Sequence, residues 1–119
     1  MSRSAPQVDA FGGGGFRLSG VWRPGSVLIL DDVARDWGVA SPAGLSIASL
    51  SAVLEAGPAT AELCVLGMGT ANALPPREVR EAFLRAGVGL EYLDTPAAAR
   101  LYNLLTSEGR RVAAALIAV

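Results

Sequence analysis

Apolar segments of strand length that alternate with helix-like segments constrain the fold of this chain most strongly. Residues 63–66 (LCVL), 88–93 (VGLEYL) and 111–119 (RVAAALIAV) are such runs. The two segments between them repeat apolar residues at helical spacing, and Gly87 and Gly109 follow them. This β-α-β-α-β order predicts an α/β fold with a mixed, largely parallel core sheet and right-handed crossovers.

The earlier of these two helix-like segments has a clear start and a clear stop. Two prolines precede Arg77, where the helix is predicted to begin, and Gly87 is predicted to end it. Helical periodicity places Val79, Phe83 and Leu84 on the buried face.

The later helix-like segment begins after Asp94-Thr95-Pro96. Asp94 or Thr95 is predicted to be the N-cap, and the first helical turn tolerates Pro96 because its missing N–H has no intrahelical partner there. The predicted buried stripe consists of Leu101, Leu104 and Leu105.

The front half of the chain has weaker signals. Residues 16–22 and 26–30 are predicted strands, joined as a β-hairpin by the turn at residues 23–25. Residues 31–44 are predicted to form a loop pinned by Trp37, followed by a helix over residues 47–54. Residues 1–15, with four consecutive glycines, are expected to be a flexible lead-in, and residues 16–119 a single domain.

Composition excludes several classes of function. There is no His, which removes His-containing catalytic triads and typical zinc sites from a single chain, so we expect neither metal nor cofactor. A net charge of −1 argues against electrostatic binding of nucleic acid. No apolar run approaches the roughly 18 residues of a membrane span. One Cys and no signal-like N-terminus favour the cytoplasm.

Small and polar residues follow the first strand of the repeating pattern. Gly67, Gly69, Thr70 and Asn72 lie where carboxyl ends of parallel strands meet, the edge at which open α/β sheets bind ligands. Backbone N–H groups of this loop could approach a phosphate or carboxylate. The loop is no dinucleotide fingerprint, because Asn72 stands where the third glycine is required. A tight structural turn is the favoured interpretation.

A second polar cluster lies at the last helix. Asp94 and Thr95 precede this helix, and N-capping alone is enough to explain these residue types there. Arg100, Tyr102 and Asn103 lie on the helix itself. Together with the glycine loop they form a candidate site for a polar or anionic ligand. Asp94 and Glu108 are the only plausible acid/base groups, and no catalytic residue is assigned. The alternative is a solvated helix face on which Glu108 pairs with an arginine.

The sequence segments LGMGT and LDTPAAARLYNLLTSEGRRVAAALI closely resemble those of the Mth nine-three-eight-like domain family, a domain of unknown function. The resemblance covers nearly everything from Phe16 onward. It implies a three-layer α/β sandwich with a central mixed sheet. Members of this family are mostly uncharacterised bacterial and archaeal proteins, and animal relatives include a mitochondrial complex I assembly factor and an adipogenesis-associated protein.

Two functions follow as hypotheses. The first is a bacterial, non-enzymatic interaction or assembly protein with a protein partner, linked to respiratory-complex biogenesis, and monomeric or weakly dimeric. The second is a small-ligand-binding domain or modest enzyme that uses Thr70, Asn72, Asp94, Arg100 and Asn103 at the carboxyl edge of the sheet.

Overall fold

The computed structural model describes residues 5–119, and their strands form two sheets. A three-stranded antiparallel sheet has the order β1-β2-β3 and a five-stranded sheet the order β5-β4-β8-β6-β7. The strands of the first are Val8–Gly12 (β1), Gly15–Leu18 (β2) and Val21–Pro24 (β3). Those of the second are Val27–Leu30 (β4), Val33–Asp36 (β5), Leu63–Gly67 (β6), Gly89–Leu93 (β7) and Val112–Leu116 (β8).

The helices follow the predicted order. They are Ser51–Ala56 (α1), Arg77–Ala86 (α2) and Thr95–Ser107 (α3), with short 3-10 turns at Pro42–Gly44 and Ala48–Leu50. Ser46 and Ser49 each accept a hydrogen bond from the other's backbone N–H, which fixes the approach to α1. Gly87 ends α2 in the left-handed conformation, with a φ of 75°.

The five-stranded sheet is mixed rather than largely parallel. Strand β6 runs parallel to both β7 and β8, as the alternating pattern predicts. Strand β4 pairs antiparallel with β8 on one side and with β5 on the other. Half of the strand pairs are therefore antiparallel, because the front segment enters the sheet beside the last strand of the chain.

The predicted front hairpin joins the wrong strands. Strand β2 pairs with β3 around a turn at Ser19 and Gly20, whose φ angles are 47° and 85°. The apolar segment 26–30 leaves that hairpin and becomes β4 of the other sheet. The side chains of β4 are buried on both faces of the strand. The five-stranded sheet can bury them because it is covered on both faces.

Two segments predicted to be irregular contain strands. β1 lies within the expected flexible lead-in and pairs with β2, while residues 1–4 lie outside the described residues. β5 lies within the predicted loop 31–44, after a turn in which Asp31 and Asp32 have positive φ. Trp37 is buried and donates its indole N–H to Ser49 O at 2.8 Å, so the predicted pinning of this segment is confirmed.

The core lies on both faces of the five-stranded sheet. One cluster joins Cys64 and Leu66 of β6 to α1 and α2, and the other joins Val65 of β6 to α3 and the smaller sheet. Alternation of side chains along each strand produces this division. Two predicted core positions are wrong: Leu84 of α2 is 81% exposed and Leu104 of α3 is 55% exposed. The buried residues of α3 are Thr95, Ala98, Ala99, Tyr102, Leu105 and Thr106.

Candidate functional site

Direct hydrogen bonds join the glycine loop after β6 to the start of α3. The Thr95 hydroxyl accepts from Gly69 N–H at 2.9 Å and donates to Ile117 O, just after β8, at 2.7 Å. Thr95 N–H donates to Gly69 O at 2.8 Å. Thr95 is fully buried. The prediction that the two loops meet at the carboxyl edge is therefore confirmed, and the loops contact each other directly.

Gly67 is required by the closeness of this contact. A Cβ atom on Gly67 would lie 2.9 Å from Thr95 Oγ1 and 3.1 Å from Leu116 Cδ2. Both distances are shorter than ordinary van der Waals contact, and the neighbours are fixed by the sheet and by the helix start. Gly69 has a φ of 105°, which L-residues rarely adopt. Both glycines therefore have structural reasons that need no ligand.

Asp94 is the N-cap of α3. Its Oδ1 accepts a hydrogen bond from Ala97 N–H at 2.8 Å, and its backbone is extended, with φ −60° and ψ 157°. The carboxylate thus satisfies one of the N–H groups that an anionic ligand would otherwise contact. Its negative charge also opposes a second anion at this helix end.

Tyr102 and Asn103 hold the N-terminal strand. Asn103 Oδ1 accepts from Val8 N–H and its Nδ2 donates to Val8 O, both at 2.9 Å, so the side chain imitates a paired strand. The buried Tyr102 donates its hydroxyl to Pro6 O at 2.9 Å. These contacts explain two polar residues that are unusual in the middle of a helix, and they bridge about 95 positions in sequence.

The remaining predicted site residues are exposed and do not converge. Arg100, Thr70 and Asn72 all lie at the surface, and Asn72 accepts a hydrogen bond from the neighbouring Ala73 N–H at 2.9 Å. Thr70 lines a shallow pocket of about 350 Å³ at the carboxyl edge, opposite Ser41 and Pro42. Asn72, Asp94, Arg100 and Asn103 do not line it.

The arginines after α3 pair with a residue that the sequence analysis did not single out. Arg110 contacts Glu62 at 2.7 Å and Arg111 contacts it at 4.0 Å, so both of these arginines lie against Glu62. The hydrogen bond from Arg110 is the main cause of a lowered Glu62 pKa. Glu62 lies just before β6, and nothing in the local sequence marks it as a partner, because the contact spans 48 positions.

The thiol of Cys64 is not a nucleophile. It is completely buried in β6, and burial raises its pKa to about 12. It therefore stays protonated at neutral pH. The interpretation as core packing agrees with its place in the cluster that faces α1 and α2.

The described part of the chain contains no metal-like constellation of three His, Cys, Asp or Glu residues. Within residues 5–119, no helix has the length and apolar character needed to cross a bilayer.

Comparisons with known proteins place this geometry in a family. The model of the family described as "Protein of unknown function (DUF498/DUF598)" matches residues 8–117. An uncharacterised protein of Rhodobacter capsulatus is 39% identical over 92% of this chain and 82% of its own length. NADH dehydrogenase (ubiquinone) 1 alpha subcomplex assembly factor 3 of Danio rerio is 36% identical over 87% of this chain.

This chain covers only 59% of that animal relative. Among solved structures, a Bordetella pertussis protein described as a Mth938-like domain superimposes with a TM-score of 0.83 at 29% identity, over 99% of this chain and 89% of that one. The family indicated by the glycine and Asp-Thr-Pro motifs is confirmed. The chain belongs to the family of proteins of unknown function DUF498/DUF598 and has the Mth938-like fold.

Proposed function

We propose that this protein is a non-enzymatic interaction protein that binds protein partners during the assembly of larger complexes, with respiratory NADH dehydrogenase as the first complex to test. The relationship to animal assembly factor 3 supports this proposal. That relative is longer, so the proposal concerns only the domain that the two proteins share.

One observation carries the proposal: most of the polar groups expected to bind a ligand are already paired within the chain. Gly69 N–H is bonded to Thr95, Ala97 N–H to Asp94, and the Asn103 amide to Val8. Buried polar groups that have satisfied partners stabilise a fold, and an incoming ligand would have to displace them at a cost. The residues of the predicted crevice thus act as scaffold for the protein's outer surfaces.

The proposal retains the three-layer arrangement implied by the family resemblance. The two core clusters on opposite faces of the five-stranded sheet support it. In such an arrangement the faces of the central sheet are covered, and partners reach the protein at sheet edges and at the outer sides of its helices.

Deletion of the gene in the organism that encodes it tests the respiratory role. We expect less assembled NADH dehydrogenase on native gels and lower NADH oxidation by membranes, while succinate dehydrogenase stays unchanged. A plasmid copy of the wild-type chain should restore both. Normal NADH dehydrogenase content in the deletion strain would contradict the proposal.

A small-ligand site remains the second candidate, because the pocket of about 350 Å³ beside Thr70 and Ser41 lies at the ligand-binding edge of α/β sheets. Ser41 and Thr70 supply hydroxyl groups to a lining that is otherwise mostly apolar, which would suit a small molecule with both apolar and polar groups. Thermal unfolding in the presence of metabolite mixtures tests it: stabilisation that disappears in Ser41→Ala and Thr70→Val would favour this function over the first. Asn72, Asp94, Arg100 and Asn103 are not needed for such a pocket.

A further inference from the structure

Strand β7 is the outermost strand on one side of the five-stranded sheet, and no other strand of residues 5–119 pairs with its outer edge, which is therefore free in the described part of the chain. Gly89 N–H donates to Glu62 O at 2.9 Å, and Leu93 O accepts from Met68 N–H at 2.7 Å. The backbone groups of the first and last residues of β7 therefore point towards β6. Because backbone groups alternate sides along a strand, Leu90 and Tyr92 direct their N–H and C=O groups away from the sheet. Such unpaired groups are a template for another extended segment.

An apolar groove lies beside this free edge. It encloses about 280 Å³ between α2 and β7, and its lining consists of Arg80, Phe83, Leu84, Val88, Gly89, Leu90 and Tyr92. Leu84, at 81% exposure, is the most exposed large hydrophobic residue that the structure describes. An exposed leucine beside a groove of this kind indicates a contact surface rather than an isolated surface residue.

The groove has one charged side chain in its lining. Arg80 is held in place because its Nε donates to Pro75 O at 3.1 Å, and it has no carboxylate partner among residues 5–119. The neighbouring arginine on the same helix, Arg77, is already paired with Glu81. A partner that places a carboxylate beside Arg80 would therefore gain an ion pair without breaking one.

A second copy of this chain is a poor occupant of the edge. Antiparallel pairing of β7 with itself over its full length would place the two copies' Glu91 side chains directly opposite each other. Glu91 faces β6 with its backbone, so this would be a pair without mutual hydrogen bonds, in which side chains are closest. Like charges directly opposite each other destabilise strand pairing.

We infer that the free edge of β7 and its groove bind an extended segment of a partner protein that carries apolar side chains and an acidic residue. The segment adds a strand through Leu90 and Tyr92, inserts an apolar side chain beside Leu84, and pairs its carboxylate with Arg80. This inference deepens the proposed function, since it rests on the protein acting through protein partners and names the surface that it uses.

Selection of a phage-displayed library of random linear peptides on the full chain tests this surface. We expect enriched peptides that alternate apolar residues and carry Asp or Glu. Their affinity should fall at least about tenfold for Leu84→Ser and for Arg80→Glu. The matched controls Leu104→Ser, on α3, and Arg85→Glu, on α2, should bind like the wild type. Bound peptide should slow hydrogen exchange at the N–H groups of Leu90 and Tyr92.

Three results would overturn the inference. The first is that no peptides are enriched, and the second is that enriched peptides bind Leu84→Ser as tightly as the wild type. The third is a stable dimer in sedimentation that Leu84→Ser abolishes, because a second copy would then occupy the edge. Leu84→Ser should fold normally, since its side chain is exposed. The library contains no respiratory subunits, so its outcome is independent of the deletion experiment.

Discussion

The Thr95 hydroxyl accepts a hydrogen bond from Gly69 N–H, and this bond attaches the start of α3 to the loop after β6. The same hydroxyl donates to a carbonyl beyond β8, so one side chain links the exits of two neighbouring parallel strands. The two most distinctive sequence motifs of the chain are therefore partners of each other.

Thr95→Val should destabilise the protein strongly. The substitution keeps the shape but leaves Gly69 N–H and Ile117 O buried without a partner, which we expect to lower the free energy of unfolding by about 2–4 kcal/mol. Urea unfolding measures this change. The exposed Thr70→Val is the matched control and should change stability by less than about 0.5 kcal/mol. Equal stability of the two variants would mean that the buried hydroxyl is dispensable.

Gly67→Ala should also destabilise the protein, because a methyl group would collide with Thr95 and Leu116. We expect a loss of about 1–3 kcal/mol, as for other overpacked sites. Gly38 is exposed, and a Cβ there would meet nothing within 4 Å, so Gly38→Ala should be nearly neutral. Thermal unfolding of both variants checks the prediction, and a wild-type midpoint for Gly67→Ala would refute it.

Asn103→Ala should release the N-terminal strand. It removes both hydrogen bonds to Val8, so we expect a loss of about 1–3 kcal/mol and faster hydrogen exchange at the Val8 N–H. Arg100→Ala, on an exposed side chain of the same helix, should leave both quantities unchanged. If Asn103 instead served a ligand, its removal would leave Val8 protected and stability intact.

Cys64 should be inert in the folded protein. Because burial raises its pKa from 9.0 to about 12, the thiolate is absent at neutral pH, and a disulfide reagent should label native protein negligibly but unfolded protein completely. The raised pKa also means that this group's contribution to stability is present below pH 9 and declines as the pH rises towards 12. Rapid labelling of native protein at pH 7 would show that the strand opens readily.

Features that depend on local signals were predictable from the sequence. The prolines before Arg77 and the cap at Asp94 fix the starts of α2 and α3, and apolar runs mark β6, β7 and β8. Leu84 and Leu104 were misassigned because periodicity alone places a leucine near the core without showing what covers it.

Features that depend on distant pairing were not predictable in this way. Strand β4 joins β8 across more than 80 positions, and no local residue records that choice. The glycine-rich surroundings of β1 suggested disorder, because the Asn103 side chain that holds this strand lies 95 positions away in the sequence. The partners of Tyr102 and Asn103 were missed for the same reason: both residues stand out as unusual for a helix, but Pro6 and Val8 lie at the other end of the chain.

The central claim is that the protein acts through its surface and that the predicted ligand residues are not needed. Its most direct test is to express the triple variant Thr70→Val, Asn72→Ala, Arg100→Ala in the deletion strain. This variant changes only exposed side chains. We predict that it restores assembled NADH dehydrogenase to the wild-type level. A triple variant with wild-type stability that fails to restore the complex would contradict the account.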